Sequence, residues 1–149
     1  MGINGYIILC EDYVSFETAK LLKEKGFPQE YDIYHSMVYN EEDYEDECEV
    51  QRMVIETKLV KAGTLFSYPV GVPEPKCYCP TLQMAMKWLR VVHNVDICAF
   101  PCYYNYNSWG YDCQIFKNKD LLLSLTQFSF FEEAVETAIE AALKYYLEN

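Results

Sequence analysis

Seven cysteines and two histidines are the side chains of this 149-residue chain best suited to hold a metal or to pair a nucleophile with a base near neutral pH. One candidate set joins Cys77-Tyr78-Cys79 to His93, and another gathers Cys98, Cys102 and Cys113. A structural zinc site usually takes two knuckles of paired ligands, and one Cys-x-Cys beside scattered thiols supplies only half of that pattern. Cysteine catalysis needs a thiolate beside a base, so Cys77 or Cys102 would have to meet His93, since His35 falls on the apolar face of a strand pattern. No motif assembles the full set of catalytic roles. Carboxylates form the third candidate, because seven of the nine residues 41–49 are acidic. That run lacks the central glycine and alternating ligand positions of a calcium loop. The expectation is a protein without catalytic residues, metal or cofactor.

The same acidic run carries seven of the eleven surplus negative charges, from 12 Lys and Arg against 23 Asp and Glu. Binding to a phosphate backbone draws on cations that displace counterions, so direct nucleic-acid binding is not expected. Anionic membranes are disfavoured for the same reason. An acidic surface suits a basic protein partner or an imitation of nucleic-acid charge. No apolar run has the length of a spanning helix, and Met-Gly-Ile-Asn-Gly-Tyr is no export signal, which gives a cytoplasmic expectation. An odd cysteine count in a reducing compartment then points to thiols used as small buried hydrophobes.

The elements that must position these residues make one α+β domain over 1–149, long enough to bury roughly two thirds of its unfolded surface. A short strand at 6–9 precedes a helix capped by Ser15 and closed by Gly26, with Leu22 and Phe27 making the contact of a Schellman ending. Alternation predicts strands at 31–39 and 53–59, which leaves the acidic run in the connection between antiparallel neighbours. Residues 62–80 hold six Gly or Pro and read as a long loop. Thr81 caps a helix over 82–92, stopped by Asn94, whose polar stripe of Gln83, Lys87, Arg90 and Asn94 is narrow enough to predict burial of the rest. Strands at 95–104, 109–117 and 121–128 form a meander, and Pro101 requires an edge, a bulge or a strand end. A capping box at Ser129–Glu132 opens a last helix to about 147, with a polar stripe of Glu133, Glu136, Glu140, Lys144 and Glu148. The expected architecture is an antiparallel-rich sheet with about three helices packed on one face.

Three segments carry a resemblance: 80–97, beginning Pro80-Thr81-Leu82-Gln83-Met84-Ala85-Met86-Lys87-Trp88; 13–17 with 19–27; and, at the end, Phe131-Glu132-Glu133-Ala134 with Ala138-Ile139 and Leu147-Glu148-Asn149. Taken in chain order, they resemble small proteins of gut Bacteroides-type bacteria and their phages and mobile elements. No activity is established for that family, so the resemblance implies a bacterial or phage setting and assigns no catalytic residue. Family members often have a shorter connection where residues 40–49 stand.

The function these features favour is that of a non-enzymatic accessory protein, a monomer or small homo-oligomer that binds another protein. Two regions could make the contact. One is the acidic segment Glu41, Glu42, Asp43, Tyr44, Glu45, Asp46 and Glu47. The other is the tip of the first meander hairpin, where Tyr103, Tyr104, Tyr106, Trp109 and Tyr111 crowd together, with Tyr104, Tyr106 and Trp109 as the contact residues. The alternatives are an acidic DNA mimic that inhibits a nucleic-acid enzyme, and a small hydrolase or zinc protein built on Cys77, Cys79 and His93.

Overall fold

The computed structural model describes residues 12–29, 37–46, 52–61 and 77–147. The strand expected at 6–9, together with Cys10, His35, Glu47 and Cys48, lies outside the described residues. Helix α1 (Phe16–Glu24) starts as expected, with the Ser15 hydroxyl accepting from the Thr18 amide. It ends in a Schellman motif. Gly26 takes φ 97°, its N–H donates to the Lys23 carbonyl, and the Phe27 N–H reaches the Leu22 carbonyl at 2.9 Å.

Two strands follow, β1 (Met37–Asp46) and β2 (Arg52–Lys61), paired antiparallel with Tyr39 opposite Leu59 and Asp46 opposite Arg52. The acidic residues 41–46 therefore belong to the ladder itself, where the connecting segment was expected. Asp and Glu favour strands poorly, and here the pairing is set by β2, whose residues opposite them include the β-branched Thr57 (opposite Glu41) and Ile55 (opposite Asp43), types that favour strands. A second correction concerns the long loop. Its last residues form strand β3 (Cys77–Cys79), which pairs with Met37, Val38 and Tyr39 on the other side of β1. Strand β3 is buried along its whole length, and a continuous apolar run of three residues has no periodicity by which sequence could mark it.

Thr81 caps α2 (Leu82–His93) by accepting from the Met84 amide, and Asn94 closes it in the left-handed region at φ 55°, ψ 33°. Only Leu82, Ala85 and Leu89 of α2 are buried. The expectation that all but a narrow stripe would be enclosed is overturned by Val91 and Val92, which are 68% and 58% exposed. Strands β4 (Val95–Asn105), β5 (Ser108–Lys117) and β6 (Asp120–Phe128) then form the expected meander, in spatial order β4-β5-β6. Pro101 sits on β4, an edge strand, where its missing N–H interrupts no inner ladder.

Helix α3 (Phe131–Tyr145) covers the meander. The capping box does not form, because Phe130 is the N-cap residue and no side chain caps the helix. Burial of Ala134, Val135, Ala138, Ile139, Ala142 and Leu143 at a spacing of three and four holds the helix instead. Its polar face is not all solvated either. The Glu136 carboxylate accepts from the Thr18 hydroxyl at 2.6 Å and the Ser15 amide at 2.9 Å, tying α3 to the start of α1. The expected sheet is thus realised as two three-stranded antiparallel sheets. One hydrophobic core joins them, running from Val38 and Cys79 through Leu22 and Leu89 to Cys113, Ile115 and Ile139.

Candidate functional site

The β4–β5 hairpin turns through Tyr106 and Asn107, with Asn105 opposite Ser108 and the Asn105 side-chain oxygen accepting from the Asn107 amide at 3.1 Å. On β5, alternation places Trp109, Tyr111, Cys113 and Ile115 on one face. Helix α3 packs on β5, and Cys113 and Ile115 are buried. Toward the turn that cover ends, so Trp109 is 57% exposed, its cross-strand partner Tyr103 is 81% exposed, and Tyr106 is fully exposed. The rings form a row from solvent to core: Tyr103 to Trp109 at 6.1 Å, Trp109 to Tyr111 at 5.8 Å, and Tyr111 edge-on to Phe131 of α3 at 5.8 Å. Phe130, next to Phe131, is exposed as well.

Tyr104, expected among these contacts, is partly exposed and hydrogen-bonded into the base of the hairpin. A register shift between Tyr103 and Asn105 breaks the simple alternation. The Tyr104 hydroxyl donates to the Asp112 carboxylate on β5, and the Gln127 N–H of β6 donates to the Tyr104 oxygen at 2.9 Å and the Asp112 carboxylate at 3.1 Å. Gln127 holds a left-handed φ of 66°, uncommon for a residue with a side chain, beside a second register shift between Tyr111 and Cys113. The Tyr104 hydrogen bond, helped by the Gln127 amide, keeps the Asp112 carboxyl below its ordinary range. This network fastens all three strands just behind the exposed rings. Sequence reasoning placed Tyr106 and Trp109 at the tip but could not tell Tyr103 from Tyr104, since the distinction depends on the bulge.

The metal and thiol candidates are dispersed. Among the described residues no three His, Cys, Asp or Glu side chains gather in a group able to hold a metal ion. Cys77 and Cys79 are buried on β3, where the Cys79 thiol donates to the Val14 carbonyl at 3.4 Å and is pushed up to about 12 by burial. Cys113 is likewise buried and pushed up to about 11. Such thiols stay protonated and are poor nucleophiles at neutral pH. Cys98 departs from the expected burial, being exposed on the outer face of β4. His93 ends α2 with its ring 4.7 Å from that of Trp88, and its Nε2 is buried without a hydrogen-bond partner among the described residues. Desolvation, reinforced by Lys117, lowers its pKa, so burial outweighs the favourable dipole at the helix end.

In the acidic segment, Glu41, Glu42, Asp43, Tyr44, Glu45 and Asp46 occupy successive positions of β1, with Glu42 opposite Glu56. No helix among the described residues is long and apolar enough to cross a membrane. No family model matches this chain, and no curated protein or solved structure is found similar to it.

Proposed function

We propose that this α+β domain is a non-enzymatic binding protein that engages another protein through the aromatic tip of its β4–β5 hairpin. The observation that carries the reading is the exposure of Tyr103, Tyr106 and Trp109 side by side, on a hairpin whose base is fastened by Tyr104, Asp112 and Gln127. Tyrosine and tryptophan bring large contact areas with few torsions to freeze, so they dominate binding energy where a partner can desolvate them. A tip already ordered in the free protein lowers the entropic cost of association further. The residues between Tyr103 and Tyr111 carry no charge, so desolvating this patch strips no ion of its water. Resemblance of the three helical segments to proteins of bacteria and their phages suggests that the partner is a bacterial protein. The acidic strand would act at longer range, steering a basic partner toward the domain.

The test is site-specific photo-crosslinking in bacterial cells. A benzophenone side chain at Tyr106 is expected to capture a discrete protein adduct, and the same group at Lys119, at the opposite end of the meander, to capture none. Adducts of equal pattern and yield at both positions, or none at Tyr106, would contradict the proposal.

A further inference from the structure

A second surface has a chemistry of its own. Phe27, just past the end of α1, stacks on Tyr78 of β3 with centroids 6.0 Å apart and meets Trp88 of α2 edge-on at 5.3 Å. These three rings, with Met84, Val91 and Val92 of α2, line an open groove of about 380 Å³. Its size suits one or two large side chains. Lys87 lines the same groove, and Arg90 is exposed one turn further along the helix. Helix α2 contains no carboxylate, and neither Lys87 nor Arg90 makes an ion pair among the described residues. In a chain with 23 acidic residues and 12 basic ones, an apolar groove edged by Lys87, with Arg90 beside it on the same helix, is the opposite of its average surface.

The groove therefore selects by charge as well as by shape. A second copy docked helix against helix would bring Lys87 and Arg90 toward their own duplicates, which disfavours self-association through this face. We propose that the groove between α2, β3 and Phe27 is a docking site for an acidic amphipathic peptide segment of a partner, which seats a large apolar side chain against Trp88 and Met84 and sets carboxylates beside Lys87 and Arg90. This is the helix-in-groove mode of recognition, in which apolar anchors give affinity and flanking charges give choice of partner. The site is built from elements other than the β4–β5 tip and does not depend on the function assigned there.

Two labelled helix-forming peptides of about a dozen residues, each with leucines on one face, provide the probe, one with Glu and one with Lys at the remaining positions. At physiological salt the screening length is about 8 Å, so distant charges of the chain contribute little to the comparison. By fluorescence anisotropy the Glu peptide is expected to bind wild type roughly tenfold more tightly than the Lys peptide, the scale of two exposed ion pairs exchanged for repulsions. On the double variant Lys87→Glu, Arg90→Glu the order should reverse, and Val91→Ser should weaken whichever peptide is bound. If the reversed variant does not fold, Lys87→Gln with Arg90→Gln should abolish the preference while keeping weak binding of both. Equal binding of the two peptides to wild type, binding of neither, or a preference untouched by these substitutions would overturn the proposal. So would a wild-type dimer in light scattering that Val91→Ser disperses, because the face would then belong to a second copy.

Discussion

The two ends of the β4–β5–β6 meander are put to opposite uses. At the β5–β6 end the turn is tied into the fold: the Asn118 amide reaches the Asn94 carbonyl at 3.1 Å, and the Lys117 ammonium donates to the Tyr146 carbonyl at 2.8 Å. Ile115, two residues inward, is fully buried. At the β4–β5 end, Tyr103, Tyr106 and Trp109 extend past the cover of α3 and remain in solvent. Apolar surface that folding leaves exposed on an ordered hairpin is available for a partner, whereas the same surface under α3 is already committed to stability. The comparison separates residues that hold the domain together from residues it presents.

Substitutions along the meander should grade from one role to the other. Ile115→Ala, at the packed end, is expected to cost about 2–4 kcal/mol in urea unfolding, from lost burial plus the cavity left behind. Gly110→Ala follows. A Cβ at Gly110 would overlap the Phe128 carbonyl oxygen, so β5 and β6 must move apart, at about 1–3 kcal/mol on the same urea scale. A loss as small as that of an ordinary surface substitution would show that the sheet is looser there than its geometry states.

The network behind the tip sharpens the comparison through pH. Asp112 has its pKa lowered in the fold, chiefly by the Tyr104 hydrogen bond, so its contribution is present above the ordinary carboxyl range near 4 and is lost as pH falls through the lowered folded value. The urea midpoints of wild type and Asp112→Asn should therefore differ at pH 6 and converge in strong acid. A gap that persists undiminished would mean that Asp112 acts through packing. His93 gives a smaller effect at higher pH. Its folded pKa lies below the ordinary value near 6.5, so the unfolded chain takes up the proton first, and stability falls as pH drops from about 6.5 toward the folded value. The difference in midpoint between pH 7.5 and pH 5 should shrink in His93→Gln.

Much of the framework was legible in the sequence because the signals that wrote it are local. Ser15, Gly26 with Phe27, Thr81 and Asn94 fix helix ends through hydrogen bonds within a few residues, and the turns of the meander fall at the turn-forming residues Tyr106-Asn107 and Asn118-Lys119. What escaped depends on partners distant in the chain. Strand β3 exists because Val38 lies beside Tyr78, and the acidic run is extended because β2 pairs with it. Glu136 looked like one more solvated carboxylate until α1 was placed against it. At the tip, Tyr106 and Trp109 could be picked out from the turn alone. That Tyr104 meets Asp112 while Tyr103 stands in solvent depends on a bulge, invisible in the residue order.

The smallest expected effect on stability bears most directly on function. The double variant Tyr103→Ser, Tyr106→Ser replaces the two most exposed rings and leaves the Trp109–Tyr111 contact in place, so its unfolding free energy in urea should stay within about 0.5 kcal/mol of wild type. Retention of the protein captured at position 106 should be measured on the same preparation. The account predicts an unchanged midpoint with retention reduced to background; retention equal to wild type, or lost only in step with unfolding, would contradict it.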